Sequence, residues 1–114
     1  MINTGDALQF LSGGVIKPTI HRVIQPPADQ RQCPRLGVYY FAGPDKDVKL
    51  VPYVDSPVLQ KAGIHRLCDD RDAPTMGAWR KSRILAYGQT ELKESTEKGV
   101  ETEVIEGILV KHYN

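Results

Sequence analysis

The sequence has little of what marks the common function classes. Only two cysteines occur in 114 residues, Cys33 and Cys68, without Cys-x-x-Cys spacing. A disulfide framework is therefore not expected, and a reduced compartment is. No apolar run approaches the roughly 20 residues that span a bilayer. Met1 to Asp6 lack the basic region and apolar stretch of a secretory signal, so the expectation is a cytoplasmic protein with no membrane partner. Charge of one sign is missing too. Lys plus Arg is 15, Asp plus Glu is 14, and the net charge is +1, which gives no field to attract nucleic acid. There is no internal repeat and no low-complexity tract. What remains is one small domain, or part of one, just long enough to bury a core.

Two halves differ in texture. Residues 1–54 read as β-rich. Leu8-Gln9-Phe10-Leu11 precedes a Ser12-Gly13-Gly14 turn, and Thr19 to Ile24 forms a second run stopped by Pro26-Pro27. Leu36 to Phe41 is a third run, closed by Gly43-Pro44. Val48 to Val54 is a fourth, with Pro52 confining it to an edge or an end. Short strands at this spacing predict an antiparallel sandwich or barrel. Residues 55–114 form an extension in which Ser56-Pro57 and the segment from Cys68 to Pro74 read as loops. Thr75 is placed to cap a helix over about 76–87, ended by Gly88. Met76, Trp79, Ile84 and Tyr87 make one apolar side of that helix, interrupted by Arg80 and Arg83. Thr90 to Lys98 is charged, with one or two helical turns expected and Glu94 and Lys98 spaced as an i,i+4 pair. The tail from Val104 to Val110 is apolar enough to pack.

The chemistry-bearing residues sit in the second and third runs. Alternate side chains of a strand share a face, so Thr19, His21 and Val23 go together, as do Arg35, Gly37, Tyr39 and Phe41. Paired with both faces inward, these strands open an imidazole and a guanidinium into one cavity. The imidazole suits a metal, and the guanidinium suits a carboxylate held by two parallel hydrogen bonds. The residues alone leave a plainer reading open, because an isolated strand histidine is more often simply packed and a lone arginine more often a surface ion-pair partner. Other features read plainly. Trp79 and Met76 suit core or docking positions. Asp69-Asp70-Arg71-Asp72 lacks calcium-loop spacing. Cys33, beside Pro34, has no neighbouring histidine to activate it.

A family pattern sharpens the choice. Asn3-Thr4-Gly5-Asp6-Ala7-Leu8-Gln9-Phe10-Leu11-Ser12-Gly13-Gly14, then Lys17 and Ile20-His21-Arg22-Val23, then Arg35-Leu36-Gly37-Val38-Tyr39-Tyr40-Phe41 follow in order. This series resembles the C-terminal portion of the 2-oxoglutarate and Fe(II)-dependent dioxygenases of the isopenicillin N synthase-like, fungal type. The stretch from Trp79 to Asn114 is similar to fungal members as well. The resemblance implies a mainly β fold: the closing strands of a double-stranded β-helix (jelly roll) over 1–54, and a partly helical C-terminal extension over 55–114. It implies that His21 is the distal histidine of a two-histidine, one-carboxylate iron triad. Arg35 would bind the far carboxylate of 2-oxoglutarate, which is decarboxylated to succinate as a small-molecule substrate is oxidised.

Two departures bear on activity. The family's first two ligands come from a His-x-Asp motif upstream of the Gly-Asp segment, and no His-x-Asp occurs in these 114 residues. Position 37 is glycine where the family often has serine, and fourteen positions separate His21 from Arg35. The expectation is a C-terminal fragment of a non-haem Fe(II)/2-oxoglutarate oxygenase, inactive alone. The alternative is a non-catalytic binding or oligomerisation module derived from half a jelly roll and self-associating through exposed strand edges. A third reading pools His21 from two copies, although nothing in the sequence supplies its carboxylate.

Overall fold

A computed structural model describes residues 1–19, 21 and 23–113. Ile20 and Arg22 of the Ile-His-Arg-Val match, and the terminal Asn114, lie outside the described residues.

Among the described residues, three short helices and one small sheet make up the regular structure. Helix α1 spans Asp6–Leu11, α2 Pro57–Ala62 and α3 Met76–Ala86. Strands β1 (Lys93–Glu94), β2 (Val100–Ile105) and β3 (Ile108–Tyr113) form an antiparallel sheet in that order. Ala28–Gln30 makes a single 3-10 turn. No helix is long and apolar enough to cross a membrane among the described residues.

Several expected strands take another form, each for an identifiable reason. Leu8 to Leu11 lies in α1. Ala7, Phe10 and Leu11 all pack on the core, a spacing of three and four that a helix puts on one side and a strand does not. Gly13 and Gly14 then end the helix: Gly14 N–H donates to Gln9 O at 2.8 Å and Gly13 N–H to Phe10 O at 3.0 Å, a Schellman closure with Gly13 at φ 59°. A β-carbon at Gly13 would sit 2.5 Å from Ile64 Cγ2, so glycine is needed for space as well as for φ. Residues 36–41 form no regular secondary structure and are exposed, from Tyr39 at 71% to Tyr40 at 92%. Among the described residues no backbone hydrogen bond reaches them, so their β-propensity has no neighbouring strand with which to complete a ladder. The run 48–54 contributes one isolated bridge, Lys49 with Thr75, because Pro52 and the turn at Val54 break it up. The β component with a regular ladder thus lies in residues 93–113.

The second half departs from expectation less. Helix α3 begins where Thr75 Oγ1 accepts the N–H of Ala78 and ends at Tyr87, just before Gly88. Ser56-Pro57 is a helix start rather than a loop: Ser56 caps α2 and proline occupies its first turn, where its missing N–H costs nothing. Residues 95–98 are not helical, since Ser95 N–H turns back to Val100 O, and Glu94 pairs instead across the sheet with Glu101. The apolar tail folds as a hairpin. Glu106 (φ 50°) and Gly107 (φ 75°) make its two-residue turn, with Ile105 opposite Ile108.

The core is small: Phe10, Leu50, Trp79, Ile105 and Ile108, with Met76, Cys68 and Val110 packed around it. It draws on both halves of the chain. Phe10 meets Trp79 edge-on with centroids 5.0 Å apart, the arrangement favoured by the aromatic quadrupole.

Candidate functional site

A groove of about 680 Å³ runs between α1, the segment from Lys17 to His21, α3 and the hairpin. Its position follows from the packing just described. Phe10 and Trp79 hold α1 against α3 and form part of the lining, and Ile108 brings β3 alongside.

His21 reaches the groove from a segment tied to the N-terminal residues. Thr19 N–H donates to Thr4 O at 2.9 Å, and Thr4 Oγ1 donates to Lys17 O at 2.7 Å. Two residues on, His21 Nδ1 lies 2.9 Å from Thr19 O. A carbonyl oxygen only accepts, so Nδ1 carries the proton and the lone pair of the neutral ring is at Nε2. Nε2 has no partner among the described residues. An imidazole with Nδ1–H on a backbone carbonyl and a free Nε2 has the form taken by histidines that ligate metals.

Arg35 is elsewhere. It is exposed on the stretch 34–41, which has no regular secondary structure, and does not line the groove. The structure therefore does not bring His21 and Arg35 together within this chain. Nor do the residues present fit an iron centre by themselves: among the described residues no group of three or more His, Cys, Asp or Glu side chains is placed to hold a metal. His21 is not joined by a second imidazole and a carboxylate placed to share a metal with it, although Asp6 and His112 line the same groove.

The hairpin side of the groove carries an ionic cluster that the sequence reading missed. Arg83 Nε lies 3.2 Å from Asp6 Oδ2, and one of its terminal nitrogens lies 3.2 Å from Glu103 Oε1. His112 Nε2 is 2.8 Å from the same Glu103 oxygen. The Glu103 side chain is only 5% exposed, so these donors replace the water its carboxylate gives up. Arg83 also lies over the Tyr87 ring, 5.5 Å from its centroid. The cluster joins α1, α3, β2 and β3. Two signals pointed to it. Arg83 breaks the apolar stripe of α3 four residues after the buried Trp79, and Glu103 shares a strand face with Ile105 under period-two alternation.

Cys68 packs half-buried against the core, and burial pushes its thiol pKa up, with Asp72, Asp69 and Asp70 adding to the shift. A raised pKa lowers the thiolate fraction and with it the reactivity of this cysteine.

Comparison with known proteins adds one relationship. The chain is 33% identical over 90 residues to a UPF0676 protein of Schizosaccharomyces pombe, an alignment that covers 77% of this chain and 24% of the yeast protein. The chain thus spans about a quarter of the length of the curated relative it matches. No protein-family model and no solved structure matches it.

Proposed function

We propose that this chain is the C-terminal part of an Fe(II)/2-oxoglutarate oxygenase-type protein and is inactive without the remaining strands of a jelly roll. The observation that carries this reading is His21, which lines the groove with its Nδ1–H held by Thr19 O and its Nε2 without a partner among the described residues. Three further points support it. The ordered match of residues 3–41 follows the dioxygenase pattern. The similarity to the yeast protein covers 24% of that protein, which is thus about four times as long as the matched stretch. The stretch 36–41 has the composition of a strand and no partner strand among the described residues.

In this reading His21 supplies one imidazole to iron, and Arg35 binds the far carboxylate of 2-oxoglutarate through its planar fork of donors. The missing ligands come from a segment bearing His-x-Asp. Pairing of that segment with residues 36–41 brings Arg35 towards the His21 groove. The iron, when bound, supplies the oxidative chemistry. This chain's own contribution is to hold the His21 ring in the right tautomer and to orient the diacid. The small-molecule substrate is met by the completed barrel.

The test is complementation. Adding a separately expressed His-x-Asp-bearing jelly-roll segment should give 2-oxoglutarate-dependent succinate, and His21→Ala should abolish it. Succinate formation that survives His21→Ala would defeat the assignment. The second reading, a non-catalytic module that self-associates, draws on the exposed apolar run Leu36, Val38, Tyr39, Tyr40 and Phe41. A discrete dimer by light scattering, together with failed complementation, would favour it.

A further inference from the structure

A second groove, of about 420 Å³, lies on the other side of α3, between that helix and the segment from Pro44 to Lys46. Its floor is apolar: Met76, Ile84 and Leu85. Ile84 is 61% exposed and Leu85 56%, which leaves apolar area in water on a helix already packed on its Trp79 side. Its rim is basic: Lys46, Arg80 and Lys81. Helix α3 contains no acidic residue, and no carboxylate lines this groove, with Asp45 and Asp47 flanking Lys46 in the chain but outside the lining.

These three cations differ from several others in the molecule. Arg66 pairs with Asp70, Arg83 with Asp6 and Glu103, and Lys111 with Glu97. None of the ion pairs among the described residues uses Lys46, Arg80 or Lys81. The rim is also held in place. Gly77 N–H donates to Lys46 O at 2.8 Å, and a β-carbon at position 77 would lie 3.1 Å from that oxygen. Glycine there lets the Lys46 backbone rest on the first turn of α3. The i,i+4 spacing sets Arg80 beside Ile84 and Lys81 beside Leu85, so charge and apolar surface alternate along one helix face.

We propose that this groove docks an acidic, amphipathic peptide segment of a partner protein. Its apolar side chains would cover Ile84 and Leu85, and its carboxylates would meet Lys46, Arg80 and Lys81. Charge complementarity identifies the occupant: three unpaired cations around an apolar strip favour carboxylates on either side of an apolar anchor. One helix and one loop segment form the walls, an arrangement that suits a peptide laid along α3 rather than a fully enclosed small molecule. The proposal is independent of the oxygenase reading, since neither His21 nor Arg35 lines this groove.

The test uses the full chain and a fluorescein-labelled peptide in which leucine pairs alternate with glutamate pairs. Two control peptides replace either every leucine by serine or every glutamate by glutamine. Anisotropy should show saturable binding of the first peptide and about tenfold weaker binding of each control. Amide NMR shifts should concentrate at 44–46 and 76–85. The double reversal Arg80→Glu/Lys81→Glu should weaken binding by about tenfold or more with the melting curve unchanged, because both side chains are exposed. Ile84→Ser provides a second probe if the double variant unfolds. Four outcomes would overturn the proposal: no saturable binding, equal binding of the serine control, shifts confined to 36–41, or a homodimer that the double reversal abolishes.

Discussion

Removing Glu103 tests the ionic cluster that closes one side of the His21 groove. Its Oε1 accepts from Arg83 at 3.2 Å and from His112 at 2.8 Å, with the side chain 5% exposed. Breaking a fully buried pair costs about 3–5 kcal/mol, because the abandoned charge stays buried. Two features reduce that figure here. Arg83 keeps Asp6, and His112, with 31% of its side chain exposed, regains water. Glu103→Ala should therefore cost about 2 kcal/mol. At roughly 2 cal/mol/K per residue of unfolding entropy, that lowers Tm by about 8 °C. The single tryptophan, Trp79, is 4% exposed against Phe10, so its fluorescence reports loss of this core during denaturant unfolding. The double variant Glu103→Ala/Arg83→Met should be less damaging than the sum of the singles by about 1 kcal/mol. Strict additivity, or a Glu103→Ala cost below about 0.5 kcal/mol, would refute the view that the carboxylate holds the hairpin to α3.

Two further predictions concern a turn and a thiol. Gly13→Ala combines a positive φ with a β-carbon 2.5 Å from Ile64 Cγ2, and should destabilise by about 2 kcal/mol in the same unfolding assay, whereas Gly107→Ala, with nothing within 4 Å, should cost less. Cys68 should react with iodoacetamide more slowly than the exposed Cys33, by mass spectrometry of the native protein. The folded thiol at Cys68 holds its proton more tightly than the unfolded one. The stability this gives is therefore complete below the ordinary thiol pKa and is lost as pH rises through the raised value. Equal alkylation rates at the two cysteines would contradict the burial argument.

Local signals account for what was legible in the sequence. Helix α3 carried its own start in Thr75, its stop in Gly88 and an apolar stripe long enough to fix its period, and it forms over Met76–Ala86. Helix α1 was misread because four residues, Leu8 to Leu11, are too few to separate a period of 3.6 from one of 2. The glycines after them serve equally well as a turn or as a Schellman close. The hairpin was missed because its turn is Glu106-Gly107, not one of the Asn-Gly or Asp-Gly pairs that usually announce such a turn. The strand expectation for Leu36 to Phe41 is not met by a ladder among the described residues, since a ladder requires a neighbour that the residues cannot supply alone. The candidate site follows the same division. Local chemistry singled out His21, and the structure shows its Nδ1 2.9 Å from Thr19 O. Whether Arg35 joins it depends on long-range pairing, on which local pattern is silent.

The most direct measurement is an anaerobic visible-absorbance titration of this chain with Fe(II) and 2-oxoglutarate. With one imidazole and no triad partner among the described residues, the chain by itself should give no saturable charge-transfer band, and none should appear with excess metal. A saturable band of one equivalent that disappears in His21→Ala would contradict the account, because this chain would then hold a complete site of its own.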